Sequence, residues 1–273
     1  MNRLTTIPAW VLFACVTYLI LTEALWHWVQ LPGLGNIGFT LVFVVFSTVH
    51  CATSSGWRTT GLFFAMAALV SYALEEIGVR TGWIYGAYHY SDLLGPKLGH
   101  VPMLIPLAWF MMIYPAWVVA RTLLRGAETR SAAGLVSQAL IAAMIMTGWD
   151  TVMDPGMAAA GNWTWERGGA YFGVPLQNYF GWLLTTFLVY MGAGLLWRRE
   201  ARTGEGSAST GRGFTALPII VYTLYGISYT APRRVAALQI VALFAMVMPG
   251  LLALMRIWLA KRSARPAAET PAS

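Results

Sequence analysis

Asp150 and Asp154 stand four residues apart in the apolar run IAAMIMTGWDTVMD, so a helix there carries both carboxyls on one face, one turn apart. Like charges that close repel, and in a medium of low dielectric one of the two is expected to hold its proton. A neutral acid beside an ionised one is the arrangement that general acid and base chemistry needs. A second reading stays open for Asp154, which precedes Pro155 and can belong to a turn that ends the helix. Glu75 and Glu76 form another pair. Neighbours on a helix point about 100° apart, so one is expected to face the interior and the other the interface. Glu23 and His27, four residues apart, suit either a proton relay or an ion pair. Aromatic residues gather around these acids: Trp83, Tyr85, Tyr88 and Tyr90 in one segment, and Trp163, Trp165, Tyr171 and Phe172 in another. Tyr222, Tyr225 and Tyr229 recur at helical spacing further on. Tryptophan and tyrosine commonly line membrane interfaces, but here they concentrate in the acid-bearing segments. Aromatic faces attract cations, so a pocket that joins them to a proton donor suits a carbocation intermediate.

The elements that must position these groups are membrane helices. Of 273 residues, 58% are hydrophobic and only 11% charged, too little polar surface to coat a water-exposed globule. The apolar runs recur along the whole chain, continuous and rich in Leu, Ala, Val and Met, unlike the short alternating segments of a β-barrel. The expected fold is an all-α polytopic transmembrane helical bundle with about eight spans. They are read at 8–29, 34–52, 59–78, 101–121, 132–153, 176–197, 214–232 and 235–258. Residues 1–258 are expected to form a single integral membrane domain, and 259–273 a disordered tail. The two aromatic segments are the long loops after spans three and five, whereas the RREARTGEGSASTGRG connection reads as a flexible linker. Thirteen Lys and Arg fall on one side of the membrane and five on the other, which puts both termini in the cytoplasm and both aromatic loops outside. A weak internal echo links VPMLIPLAW, Val101 to Trp109, with VPLQNYFGW, Val174 to Trp182, each behind an acid-ended helix and an aromatic loop.

Other chemistries find little purchase. The four histidines are scattered singly, without the HxxxH or HxxHH clusters of membrane di-iron enzymes, and His27 with His50 is a poor haem pair. Cys15 and Cys51 lie inside apolar runs and read as small core residues, so no metal site is expected. Ser47 and His50 lie about one turn apart, but a nucleophile elbow is missing, as is a glycine-rich phosphate loop. The net charge of +7 reports topology and does not imply a nucleic-acid partner.

The segments EEIGVRTGWIYGAYHYSDLLGPKLGHVPMLIPLAWF, Glu75 to Phe110, and WDTVMDPGMAAAGNWTWERGGAYFGVPLQNYFGW, Trp149 to Trp182, resemble the bacterial and archaeal carotenoid biosynthesis proteins. These are carotenoid 1,2-hydratases that act on bisanhydrobacterioruberin or γ-carotene. The resemblance implies addition of water, with no cofactor, across the terminal double bond of an acyclic carotenoid end. Protonation of such an alkene gives a tertiary cation, which water captures. On that chemistry Asp154 or Asp150 donates the proton, and a second carboxylate from Asp150, Glu75 or Glu76 orients or deprotonates the water. Tyr88, Tyr90, Trp163 and Trp165 would shape the cation site, Asn178 would hold the water, and Trp83, Tyr225 and Tyr229 would complete the substrate-binding set. A carotenoid is about as long as the hydrocarbon layer is thick, so its end would reach a site at the membrane rim sideways from the lipid. The expected setting is the cell's inner membrane, with membrane lipids and other carotenoid enzymes as neighbours. A proton-coupled carrier and a non-catalytic assembly protein are the competing classes. Prenyl transfer ranks below them because no aspartate-rich DDxxD motif is present.

Overall fold

A computed structural model of the chain describes residues 5–26, 28–125, 131–203, 211–232 and 235–262. The helices are α1 (Ile7–Leu25), α2 (Gly35–Ser55), α3 (Trp57–Thr81), α4 (Leu104–Leu123), α5 (Ala132–Ala159), α6 (Leu176–Thr203), α7 (Arg212–Ser228), α8 (Ala236–Ala242) and α9 (Met248–Arg262). A π-helical turn, Leu243–Val247, joins the last two into one run. Among the described residues seven helical runs are long and apolar enough to cross a membrane, which makes this an all-α integral membrane protein. The expected span at 214–232 is shorter than its hydropathy suggests. It becomes α7, 17 residues and about 26 Å long, and ends in turns after Ser228. Two expectations are corrected in part: residues 259–262 of the tail expected at 259–273 belong to α9, and the linker expected at 198–213 is helical at 198–203 and 212–213. Residues 263–273, 204–210 and His27 of the Glu23–His27 pair lie outside the described residues.

Helix α4 is the axis of the bundle, buried along most of its length and packed against α2, α3, α5, α7 and α9. The outer helices close around it through α1 on α2 and α7, α3 on α6, and α6 on α5. Local sequence explains the joints. Gly56, at φ +81°, turns the chain from α2 straight into α3, and Gly82, left-handed at φ +70°, ends α3 with its N–H on the Gly78 carbonyl at 2.7 Å. The Ser131 hydroxyl caps α5 by accepting from the Gly134 N–H at 3.0 Å.

Helices α4, α5 and α7 each carry an internal proline that frees the carbonyl four residues earlier, which hydrocarbon cannot satisfy. In every case a side chain from elsewhere donates to it. Ser47 reaches Met111 O at 2.8 Å for Pro115, His50 Nε2 reaches Phe214 O at 2.8 Å for Pro218, and the Tyr171 hydroxyl reaches Thr151 O at 3.1 Å for Pro155. The bond to a carbonyl makes Nε2 the protonated nitrogen of His50, so Nδ1 accepts from the Tyr114 hydroxyl at 2.7 Å. Ser47 and His50 are thus helix-repair residues with separate targets, and His50 is a buried, hydrogen-bonded residue of the core.

Two small sheets fold over one end of the bundle. Strand β1 (Tyr88–Tyr90) pairs antiparallel with β4 (Trp163–Trp165), and β2 (Lys97–Leu98) pairs with β3 (Val101–Pro102). The first pair ties the loop after α3 to the loop after α5.

Candidate active site

Glu75 sits one and a half turns before the end of α3, where it is 3% exposed. Its Oε2 accepts the hydroxyls of Tyr88 and Tyr90, the latter at 2.9 Å, and its Oε1 accepts the Trp109 indole N–H at 3.1 Å. The two-residue repeat of β1 turns both tyrosines inward and leaves His89 exposed between them. Burial, then the charge of Glu75, pushes both hydroxyls well above tyrosine's ordinary range, so they remain O–H donors at any working pH. Glu76 points elsewhere. It accepts from the backbone N–H of His100 at 2.9 Å, meets its Nδ1 at 2.8 Å and lies 4.0 Å from Arg80.

Asp150 and Asp154 occupy successive turns of α5, both buried. The helix does not end at Asp154 as the turn reading supposed. It continues through Pro155 to Ala159, because Tyr171 satisfies the carbonyl that the proline frees. Asp154 Oδ1 accepts indole N–H groups from Trp163 at 2.7 Å and, more loosely, Trp165 at 3.4 Å. The Asn178 amide of α6 bridges the pair, its nitrogen donating to Asp154 Oδ2 at 2.7 Å and Asp150 Oδ2 at 2.9 Å. Asp150 Oδ1, fully buried, has no hydrogen-bond partner among the described residues.

All three carboxyls line one cavity with about 810 Å³ of empty space, part of it open to the surroundings. Its walls are aromatic. Trp109 and Trp182 stack with centroids 3.9 Å apart, Trp149 meets Trp182 edge-on at 5.8 Å, and Tyr225 lies 5.3 Å from Phe39. Among the described residues none of the three acids has a cationic partner. An apolar chamber of this kind can take a hydrocarbon, and buried acids in its wall can give or accept a proton there.

The model of the carotenoid biosynthesis protein family matches residues 35–255, which include every cavity residue from Asn36 to Tyr225. The chain belongs to this family. One relative, the bisanhydrobacterioruberin hydratase of Haloarcula japonica, is 35% identical over 192 residues, 67% of this chain and 61% of the relative. The aligned stretch therefore spans less than two thirds of that relative's own length. No solved structure matches the chain significantly. The family match begins at the first residue of α2, so α1 lies outside the matched residues.

Of the residues singled out from the sequence, Glu75, Asp150, Asp154, Tyr88, Tyr90, Trp163, Trp165, Asn178 and Tyr225 converge on the cavity. Glu76, Trp83 and Tyr229 are not in its wall. Trp83 is 81% exposed at the loop surface, and Tyr229 lies outside the lining with its hydroxyl on that of Tyr225 at 3.2 Å. Sequence reasoning passed over Trp149, Trp109 and Trp182 as site residues, although the Val-Pro echo marked the last two. Phe39, Asn36 and Met157 carried no chemical signal at all, being ordinary helix residues whose place in the wall follows only from packing.

Proposed function

We propose that this protein is a carotenoid hydratase. It adds water across the terminal 1,2 double bond of an acyclic carotenoid end of the lycopene, γ-carotene or bisanhydrobacterioruberin type. The observation that carries this reading is the unequal treatment of three acids in one aromatic chamber. Asp154 and Glu75 each accept three donors, the setting of a carboxylate anion, while Asp150 accepts one and keeps Oδ1 unmatched. Three negative charges without a cation repel one another in an apolar chamber, so the site stores a proton, and Asp150 is the acid with least to lose by holding it.

Asp150 gives that proton to the less substituted carbon of the alkene, and the positive charge forms on the tertiary carbon. Glu75, Asp154 and the indole faces stabilise it, which is where the barrier is lowered. Water bonds to the cation and passes its extra proton to the aspartate pair, which holds one proton before and after the cycle. Hydration is redox-neutral and the acid is internal, so the proposed reaction takes no cofactor. The substrate arrives from the lipid phase, in a cell membrane with both chain termini cytoplasmic, and other carotenoid enzymes supply it. A carrier places its acids at mid-membrane in broken helices, whereas Glu75 and the aspartates lie in the last third of the unbroken α3 and α5.

Expression in cells that accumulate lycopene, γ-carotene or bisanhydrobacterioruberin, followed by mass analysis, tests the reading. A carotenoid heavier by one water is expected. Unchanged extracts with all three would overturn it.

A further inference from the structure

Within the proposed hydration, we infer that the indole N–H of Trp149 holds the oxygen of the incoming water and of the tertiary alcohol it becomes. Trp149 precedes Asp150 on α5, is 3% exposed, and lines the same cavity. Its Nε1 is buried with no hydrogen-bond partner among the described residues. Three of the four other indoles of the wall are engaged: Trp109 donates to Glu75, and Trp163 and Trp165 donate to Asp154, while Trp182 stacks on Trp109. Asn178, the sequence-based choice for binding water, has its amide nitrogen taken up by both aspartates and so serves to position them.

A buried N–H at membrane depth requires an acceptor. A polyene end offers none. In the reaction the acceptor to be provided for is the oxygen that becomes the hydroxyl, and it must lie beside the carbon that Asp150 makes cationic. Trp149 Nε1 and Asp150 Oδ1 are the two buried polar side-chain atoms of the cavity-lining residues left without a hydrogen-bond partner among the described residues, and one is assigned to the oxygen and the other to the carbon. The ring of Trp149, set edge-on to Trp182, is held by its neighbours, so the donor is preorganised. In the step itself the C–O bond forms from a water lone pair, one water proton leaves to the aspartate pair, and the second stays on the alcohol.

This assignment rests on the hydratase reading, and one experiment separates the two. Membranes carrying wild type, Trp149→Phe, or the isosteric benzothienyl-alanine at 149, which keeps the ring's shape and lacks the N–H, are incubated with bisanhydrobacterioruberin or lycopene in D₂O. Product and recovered substrate are then analysed by mass. Without the N–H, hydration is expected to fall on the order of 100-fold. Protonation by Asp150 continues, the uncaptured cation returns a proton to the carboxylate, and the recovered polyene gains deuterium. Either variant hydrating at the wild-type rate overturns the role of Trp149. So does hydration falling in parallel with deuterium uptake in the isosteric variant, the outcome of a purely structural ring. Wild-type membranes that hydrate neither substrate overturn the hydratase reading itself, and the role of Trp149 with it.

Discussion

The two acid clusters that face the cavity share a spacing and differ in how fully they are satisfied. Tyr88 and Tyr90 follow Glu75 by 13 and 15 residues, and Trp163 and Trp165 follow Asp150 by the same 13 and 15. The strands that carry them pair with each other, Tyr88 opposite Trp165 and Tyr90 opposite Trp163, and Trp109 stacks on its echo Trp182. In the first cluster the strand donors return to Glu75 and saturate it. In the second they pass over Asp150 and donate to Asp154, one turn further along α5. The extra acid of the second cluster is therefore what leaves Asp150 with a single bond and an unmatched oxygen. In one cluster both carboxyl oxygens are matched, and in the other a carboxyl group has one oxygen left over.

The largest effect should come from removing that group. Asp150→Asn keeps the shape and a partner for Asn178 but cannot give up a proton, and a positioned general acid contributes about 10²–10⁴-fold. Hydration is expected to fall about 1,000-fold, with deuterium uptake lost alongside it and protein levels in the membrane unchanged. If Asp150→Asn stays active while Asp154→Asn is dead, the roles of the two turns are exchanged and the donor count is a poor guide to the acid.

Glu75→Gln tests the other side of the comparison. The variant removes a charge that steadies the cation and leaves at least one of three buried donors facing an amide NH₂. A drop of about 10–100-fold in rate is expected. Stability should fall by about 1–3 kcal/mol, because a buried donor loses its acceptor. Initial rates and thermal unfolding in detergent measure the two separately. A loss as complete as that of Asp150→Asn would make Glu75 a proton carrier and erase the distinction between the clusters.

Much of this was legible in the residues. The apolar runs announced the helices, Asp150 and Asp154 announced a shared face, and the Glu75-Glu76 pair announced one inward and one outward acid. Three features were not. Asp154-Pro155 has the chemistry of a helix end, and the helix continues because the Tyr171 hydroxyl takes up the Thr151 carbonyl from 20 residues further along the chain. The span after Gly211 ended early because hydropathy does not register the turns after Ser228. Trp149 had no role assigned from the sequence, and its unmatched N–H becomes visible only when the donors of its neighbours have been traced. Contacts between distant segments decide the first and third of these and local turns the second, and composition or spacing reveals neither.

A smaller effect is expected where the helix was rescued. Tyr171→Phe leaves the Thr151 carbonyl without its donor and removes nothing from the cavity wall. Stability should fall by about 1–2 kcal/mol, and activity a few-fold through the tilt of the turn that carries both aspartates. A thermal shift without any change in rate would show that the dyad is held by Asn178 alone.

Least of all should follow from Glu76→Gln, although it lies beside Glu75 in sequence. Its carboxylate fastens the loop at His100 from the outer side of α3 and meets neither the cavity nor the other acids. Gln retains an oxygen that can accept from the His100 backbone N–H, so the loop keeps its anchor and loses only ion-pair character with His100 and Arg80, a contribution of about 0–1 kcal/mol at an exposed site. Hydration within about twofold of wild type is expected on that modest interaction. A tenfold loss would mean that the loop's hold on β2 and β3 governs the chamber, which would move part of the mechanism from the acid clusters to the strands above them.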